Sequence, residues 1–206
     1  MPSFNRTAHP GKSPVPYITA WDSEQAIHPR VVTRGAGIGY TDETAYDRDA
    51  DRILWSRVSS SPGKGRPEFG RVHSLRQRRA MRKLLCQVCG RPADRDESGV
   101  LRLLGEDADD LTTTHPPLCM LCAAQSARIC PYLRTRYTAV RAQDCTPIGV
   151  QGVIYRSGPP FPAPDTHGGV LFGAWRIPWT RATQLIVRLD RCTPVELETP
   201  APAAPR

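Results

Sequence analysis

Leu85-Cys86-Gln87-Val88-Cys89-Gly90-Arg91-Pro92 and Leu118-Cys119-Met120-Leu121-Cys122 decide how this chain is read. Each stretch carries a C-x2-C pair, and 29 residues lie between the two pairs. Two thiolates two residues apart can grip one ion from a tight turn. Two such pairs complete the tetrahedral four-sulfur shell that Zn²⁺ prefers. Gly90 follows the first pair and can take the positive φ that such a turn often needs. The expected ligands of a structural zinc ion are therefore Cys86, Cys89, Cys119 and Cys122. Cys130, Cys145 and Cys192 read as small apolar residues.

Upstream of the first pair lies the clearest helix, expected over 74–85. Ser74-Leu75-Arg76-Gln77 has the capping-box pattern, with Gln77 placed to reach back to the cap. Ala80, Met81, Leu84 and Leu85 share one face at 100° per residue. Arg76, Arg78, Arg79, Arg82 and Lys83 cover the other, with Arg76, Arg79 and Lys83 outward. These five residues are the expected nucleic-acid contacts. Downstream, a short strand is expected from Val100 to Leu104 and a second helix from Met120 to Ile129. That helix ends where Cys130 precedes Pro131, because proline disfavours helix in the residue before it.

The flanks read as β. Tyr17–Trp21, Val31–Thr33 and Ile53–Val58 are expected strands before the helix; Tyr137–Arg141, Ile148–Arg156, Val170–Ala174 and Gln184–Leu189 follow the metal motif. Gly158 to Gly169 reads as a proline-rich loop, and the acidic stretch from Asp42 to Asp51 as a solvated one. Gly35, Gly37 and Gly39 read as a flexible turn rather than a dinucleotide loop, since Tyr40 stands where the third glycine is needed. Asp94-x-Asp96-x-Ser98-Gly99 opens like a calcium loop, but Gly105 replaces the bidentate glutamate, so an acidic hairpin turn is expected. The expected fold class is α+β. A central metal module over 71–136, including the basic helix, sits between β-rich segments 17–70 and 137–193, with unfolded tails over 1–16 and 194–206.

The order of turn, hairpin and helix-borne pair resembles the treble-clef zinc finger, in which a knuckle and a helix N-terminus share one ion. Free N–H groups and the positive dipole end of such a helix stabilise thiolate. The frame from Leu85 to Pro92, followed by Leu118 to Cys122, also resembles the scaffold of HNH endonucleases. Those enzymes place a catalytic Asp-His pair between the cysteine pairs. Here no histidine stands between Cys89 and Thr114, and His115 lies too close to the second pair. The resemblance implies the scaffold without the nuclease. His115 reads as a structural or supporting histidine. Gly70 to Met81 and Thr114 to Cys119 are similar to a group of actinobacterial proteins with which no activity is associated. That similarity implies a bacterial source and transfers no catalytic residue.

The chain has 206 residues, a formal charge of +8 and 21 prolines. Met1 to Arg6 lacks the apolar core of a secretory signal and no apolar run approaches the roughly 20 residues needed to span a bilayer, so a cytoplasmic protein is expected. Reduced thiols there favour metal over disulfides. The basic balance points to an anionic partner. DNA or RNA is the leading expectation, helped by Arg91, Arg128, Arg134, Arg136 and Arg141 near the metal motif. A protein-interaction module is the alternative, and pairing of acidic 42–51 with basic 71–85 inside the chain would favour it. A zinc enzyme is not expected, because four thiolates leave no coordination position for substrate.

Overall fold

The β pattern expected after Tyr137 becomes the frame of the computed structural model, which describes residues 15–105, 111–133 and 137–197. Most of the expected tails, the acidic residues 106–110, Arg134 and Arg136 lie outside the described residues. In chain order the strands before the first helix are β1 (Thr19–Trp21), β2 (Ala26–Ile27), β3 (Val31–Arg34), β4 (Gly37–Tyr40), β5 (Leu54–Trp55), β6 (Arg57–Val58) and β7 (Pro67–Val72). Helix α1 (Ser74–Lys83) leads to β8 (Arg95–Asp96), β9 (Gly99–Leu104), β10 (Thr112–Thr113) and helix α2 (Met120–Ile129). Then come β11 (Thr138–Arg156), β12 (Ala163–Leu171), a 3₁₀ turn over Ile177–Trp179, and β13 (Thr180–Pro194). Both helices and strands are present, and strand dominates.

One seven-stranded sheet runs β10-β13-β11-β9-β8, with β12 also on β11 and β5 parallel to β13. Strand β11 is its hub. Its first residues pair with β9 from Thr138↔Leu104 to Ala142↔Val100, and its last with β12 from Gly149↔Leu171 to Arg156↔Ala163. Strand β13 follows it from Val140↔Pro194 to Ile154↔Thr180.

The two expected strands Tyr137–Arg141 and Ile148–Arg156 are thus one strand of 19 residues. Pro147 lies inside it, and the register to β13 shifts between Pro147 and Gly149. A bulge is where a strand can accept a residue without an N–H. The expected proline-rich loop is mostly strand too, since β12 starts at Ala163. Pro164 is tolerated there because β12 pairs with β11 alone among the described strands. Ile53–Val58 is not one strand either. It splits at Ser56, so that β5 joins β13 while β6 joins β2.

Helix α1 packs on β13. Its N-cap is His73, not the expected Ser74: the ring Nδ1 accepts from the Arg76 N–H at 3.4 Å. Gln77 therefore does not complete a capping box. It is fully buried and donates to the carbonyls of Thr114 and Leu185 while accepting from the Leu185 N–H. The helix stops at Leu84, which takes φ 49°. Ala80 and Met81 are buried as expected, whereas Leu84 and Leu85 are only half-buried.

Three apolar clusters result. Met81, Trp55 and Ile53 meet Val140, Val150, Leu185, Val187 and Leu189 in the largest. Leu101, Leu103, Leu118, Ala123 and Ala139 surround Cys86 and Cys122 in the second. Ile38, Tyr40, Leu54 and Tyr155 make the third. Each fully buried aliphatic side chain contributes about 1.5–3 kcal/mol relative to exposure.

Candidate metal centre and the basic helix

The four expected cysteines converge. Ligand atoms of Cys86, Cys89, Cys119 and Cys122 all lie within 4.8 Å of one another. The sulfurs of Cys89 and Cys119 are 3.8 Å apart. A tetrahedron with metal–sulfur bonds of about 2.3 Å has edges of about 3.8 Å, so the spacing suits one ion held by four thiolates.

Local sequence explains the convergence. Cys86 donates its N–H to the Arg91 carbonyl at 2.7 Å, and its own carbonyl accepts from Gly90 at 2.8 Å. Gly90 closes this knuckle at φ +72°, and a Cβ there would stand 2.9 Å from the Tyr17 ring. The knuckle is strapped from outside. Tyr17 N–H donates to the Val88 carbonyl, and Ile18 N–H to that of Gln87. Gln87 N–H in turn reaches Pro117, just before the second pair. The β8–β9 hairpin then carries the chain away, and Leu118 returns by donating to the Leu101 carbonyl at 3.1 Å. Cys119 is the N-cap of α2 and Cys122 lies in its first turn.

Cys86 and Cys122 are buried; Cys89 and Cys119 lie nearer solvent. The hydrogen bond offered by Cys122 pulls Cys86 down to about 5, assisted by the backbone N–H groups of Cys89, Cys119 and Val88. The same hydrogen bond pushes Cys122 up. Burial raises Cys119. Arg91 is held above its usual range by its hydrogen bond to the Cys89 sulfur. A cation and several N–H groups thus face the sulfurs, which is the environment that a dianionic four-thiolate metal complex requires. His115 is not part of the cluster. Its carbonyl accepts from Arg102 at 2.8 Å.

Tyr17, Ile18 and Pro117 hold the site through backbone atoms and had no chemical signature to reveal them. The acidic hairpin turn is present. Asp96 accepts from the Ser98 N–H, while Asp94 and Asp96 pair with Arg141 at 2.6 and 3.0 Å.

The basic helix departs from its expected layout. Arg76, expected outward, is 6% exposed and forks onto the Glu24 carboxylate at 2.6 Å through both terminal nitrogens. It also reaches the Thr19 carbonyl. Arg78 is half-buried over the Trp55 ring, 4.3 Å from its centroid. Arg82 pairs with Asp49 and Asp51 at 2.8 and 3.3 Å. Arg79 and Lys83 are exposed, with no ion pair recorded to either among the described residues.

The acidic stretch is only in part the expected solvated loop: Asp42 and Asp51 are exposed, while Glu43, Asp47 and Asp49 turn onto arginines. Asp47 is buried and paired with Arg57, whose hydrogen bond holds its carboxyl at about 2. Glu43 pairs with Arg48 at 2.7 Å. No helix is long and apolar enough to cross a membrane among the described residues. Comparison with protein-family models, curated proteins and solved structures finds no match.

Proposed function

We propose that the four cysteines hold one structural Zn²⁺ in a treble-clef-like module, and that the chain is a zinc-stabilised protein-interaction scaffold. Four thiolates close the shell, so the ion supplies rigidity and not Lewis-acid chemistry. The observation that carries the partner class is the set of exposed apolar side chains along α2 and its following turn. Leu121, Ile129 and Tyr132 stand 68%, 43% and 90% exposed there. Leu121 stands on the side of α2 away from the buried Ala123, Ile129 is the last residue of the helix, and Tyr132 follows in the turn. Exposed apolar side chains on and just after a metal-braced helix suit a protein surface.

DNA or RNA binding is the second reading. Its support is the exposed pair Arg79 and Lys83 with the overall charge of +8. Intramolecular pairing of Arg76 and Arg82 weighs against it, since those forks are already occupied by carboxylates.

The test is elemental analysis followed by titration with random duplex and single-stranded DNA and RNA at physiological salt. One zinc per chain and no nucleic-acid binding are expected. Binding with a steep salt dependence, lost in Arg79→Glu/Lys83→Glu, would replace the scaffold reading by the second one.

A further inference from the structure

The four cysteines are built into the core to different depths. Cys86 is 0% exposed and Cys122 9%, and both pack among Leu101, Leu103, Leu118 and Ala123. Cys89 is exposed and Cys119 half-buried. These outer two come from different pairs. Cys89 belongs to the knuckle, whereas Cys119 is the N-cap of α2. Their sulfurs already touch at 3.8 Å. A disulfide of about 2.05 Å asks them to close by a little under about 2 Å.

Every other pairing of the four uses Cys86 or Cys122. A sulfur packed in the apolar cluster must then shift, which a close-packed interior resists. Cys86 is held further by its own backbone, which donates to the Arg91 carbonyl at 2.7 Å and accepts from Gly90 at 2.8 Å. The pairings also differ in what they join. A bond within either pair ties the knuckle to itself or the helix to itself. A bond from Cys89 to Cys119 ties the knuckle to the start of α2, the same two parts that a shared ion would hold together.

We propose that Cys89 and Cys119 form an oxidative modification site, at which a peroxide converts the two outer thiolates into a disulfide that braces the module once zinc is given up. The proposal rests on the zinc reading above, because a sulfur that ligates a metal is deprotonated and the thiolate is the nucleophile. Cys89 sulfur attacks one peroxide oxygen: an S–O bond forms, the O–O bond breaks, and the departing hydroxide takes a proton and leaves as water. Sulfur loses two electrons and the peroxide gains them, giving a sulfenic acid. Cys119 sulfur then attacks Cys89 sulfur. The S–S bond forms, the S–O bond breaks, and the oxygen leaves with a proton as a second water. Two thiolates, one hydrogen peroxide and two protons thus become one disulfide and two waters.

The unaltered full chain tests this. Elemental analysis comes first, then hydrogen peroxide, with released zinc read by a chromophoric chelator. Disulfides are mapped by peptide mass spectrometry after alkylation of the remaining thiols. The Cys89–Cys119 disulfide is expected first, in step with zinc release and in about tenfold excess over any other. The Gln87 amide, which donates across to Pro117, should exchange more slowly in the oxidised chain than in the reduced chain stripped of zinc. Equal exchange overturns the brace. A first disulfide that includes Cys86, Cys122, Cys130, Cys145 or Cys192, or zinc release with no disulfide, overturns the modification site and leaves the zinc reading standing. Absence of zinc before the oxidant is added defeats the zinc reading and the proposal with it.

Discussion

Cys119 supplies both a sulfur and the N-cap position of α2, so its substitution tests the metal site at one atom. Serine keeps nearly the same size and suits an N-cap, but removes the soft thiolate. Cys119→Ser is expected to lower metal content well below one ion per chain and to reduce thermal stability, read by elemental analysis and a melting curve. Unchanged metal content would remove Cys119 from the ligand set. Glu24 offers a second single-residue test. Burial alone would raise its carboxyl, but the Arg76 fork and the N–H groups of Ser61 and Trp21 outweigh this and hold it at about 2, against an ordinary 4.5. A depressed acid contributes stability that is complete above the unfolded value and lost as pH falls through the folded one. His73 is held neutral by burial, below its usual 6.5, and its contribution likewise fades as pH drops under that value. Acid unfolding should thus begin below about pH 6.5 and steepen between 4.5 and 2. Glu24→Gln should cost about 3–5 kcal/mol in urea unfolding at pH 7, because it strands Arg76 in the core. A cost under about 1 kcal/mol would mean that Arg76 escapes to solvent.

At the level of elements, what was legible depended on how far the deciding partner lay along the chain. Helix α2 is bounded by local signals, the second cysteine pair and the Cys130-Pro131 step, and it spans the expected Met120–Ile129. The knuckle is equally local, since Gly90 and Arg91 close it beside Cys86. The face of α1 is different. Periodicity counts every arginine as solvent-seeking, but Glu24 captures Arg76 from 52 residues away. Gln77 is claimed by Leu185, 108 residues away. Neither partner leaves a mark on residues 74–85. Strand β11 is not legible as a unit because Pro147 looks like a breaker, although β12 and β13 give the strand's glycines specific places. An added Cβ at Gly149 would run into the Val170 carbonyl, and one at Gly152 into that of Arg181. Gly152→Ala is therefore expected to destabilise by about 1–3 kcal/mol in chemical denaturation, since two paired backbones would have to separate. A neutral result would show that the β11–β13 register has slack at this point.

For the whole molecule, two holding devices act on different parts of the chain. The large sheet is held by apolar packing of Met81, Trp55, Val150, Leu185 and Leu189, which needs no metal. The region around the cysteines has a smaller cluster, into which Cys86 and Cys122 are themselves built. The strap from Tyr17 and Ile18, the knuckle and the start of α2 meet there through single backbone hydrogen bonds. If zinc supplies the missing cohesion, removing it withdraws binding energy from that region alone, because a ligand stabilises only the structure that binds it. Chelation should then speed hydrogen exchange at the amides of Tyr17, Ile18, Gln87 and Leu118, all donors at the site. The amides of β11 and β13 that pair from Val150↔Leu185 to Ile154↔Thr180 should stay protected, since local and global opening have separate free energies. Exchange mass spectrometry with and without chelator reads both sets at once. Uniform loss of protection would mean that the metal holds the entire fold; no change at the four strap amides would mean that the cysteines brace nothing beyond their own packing.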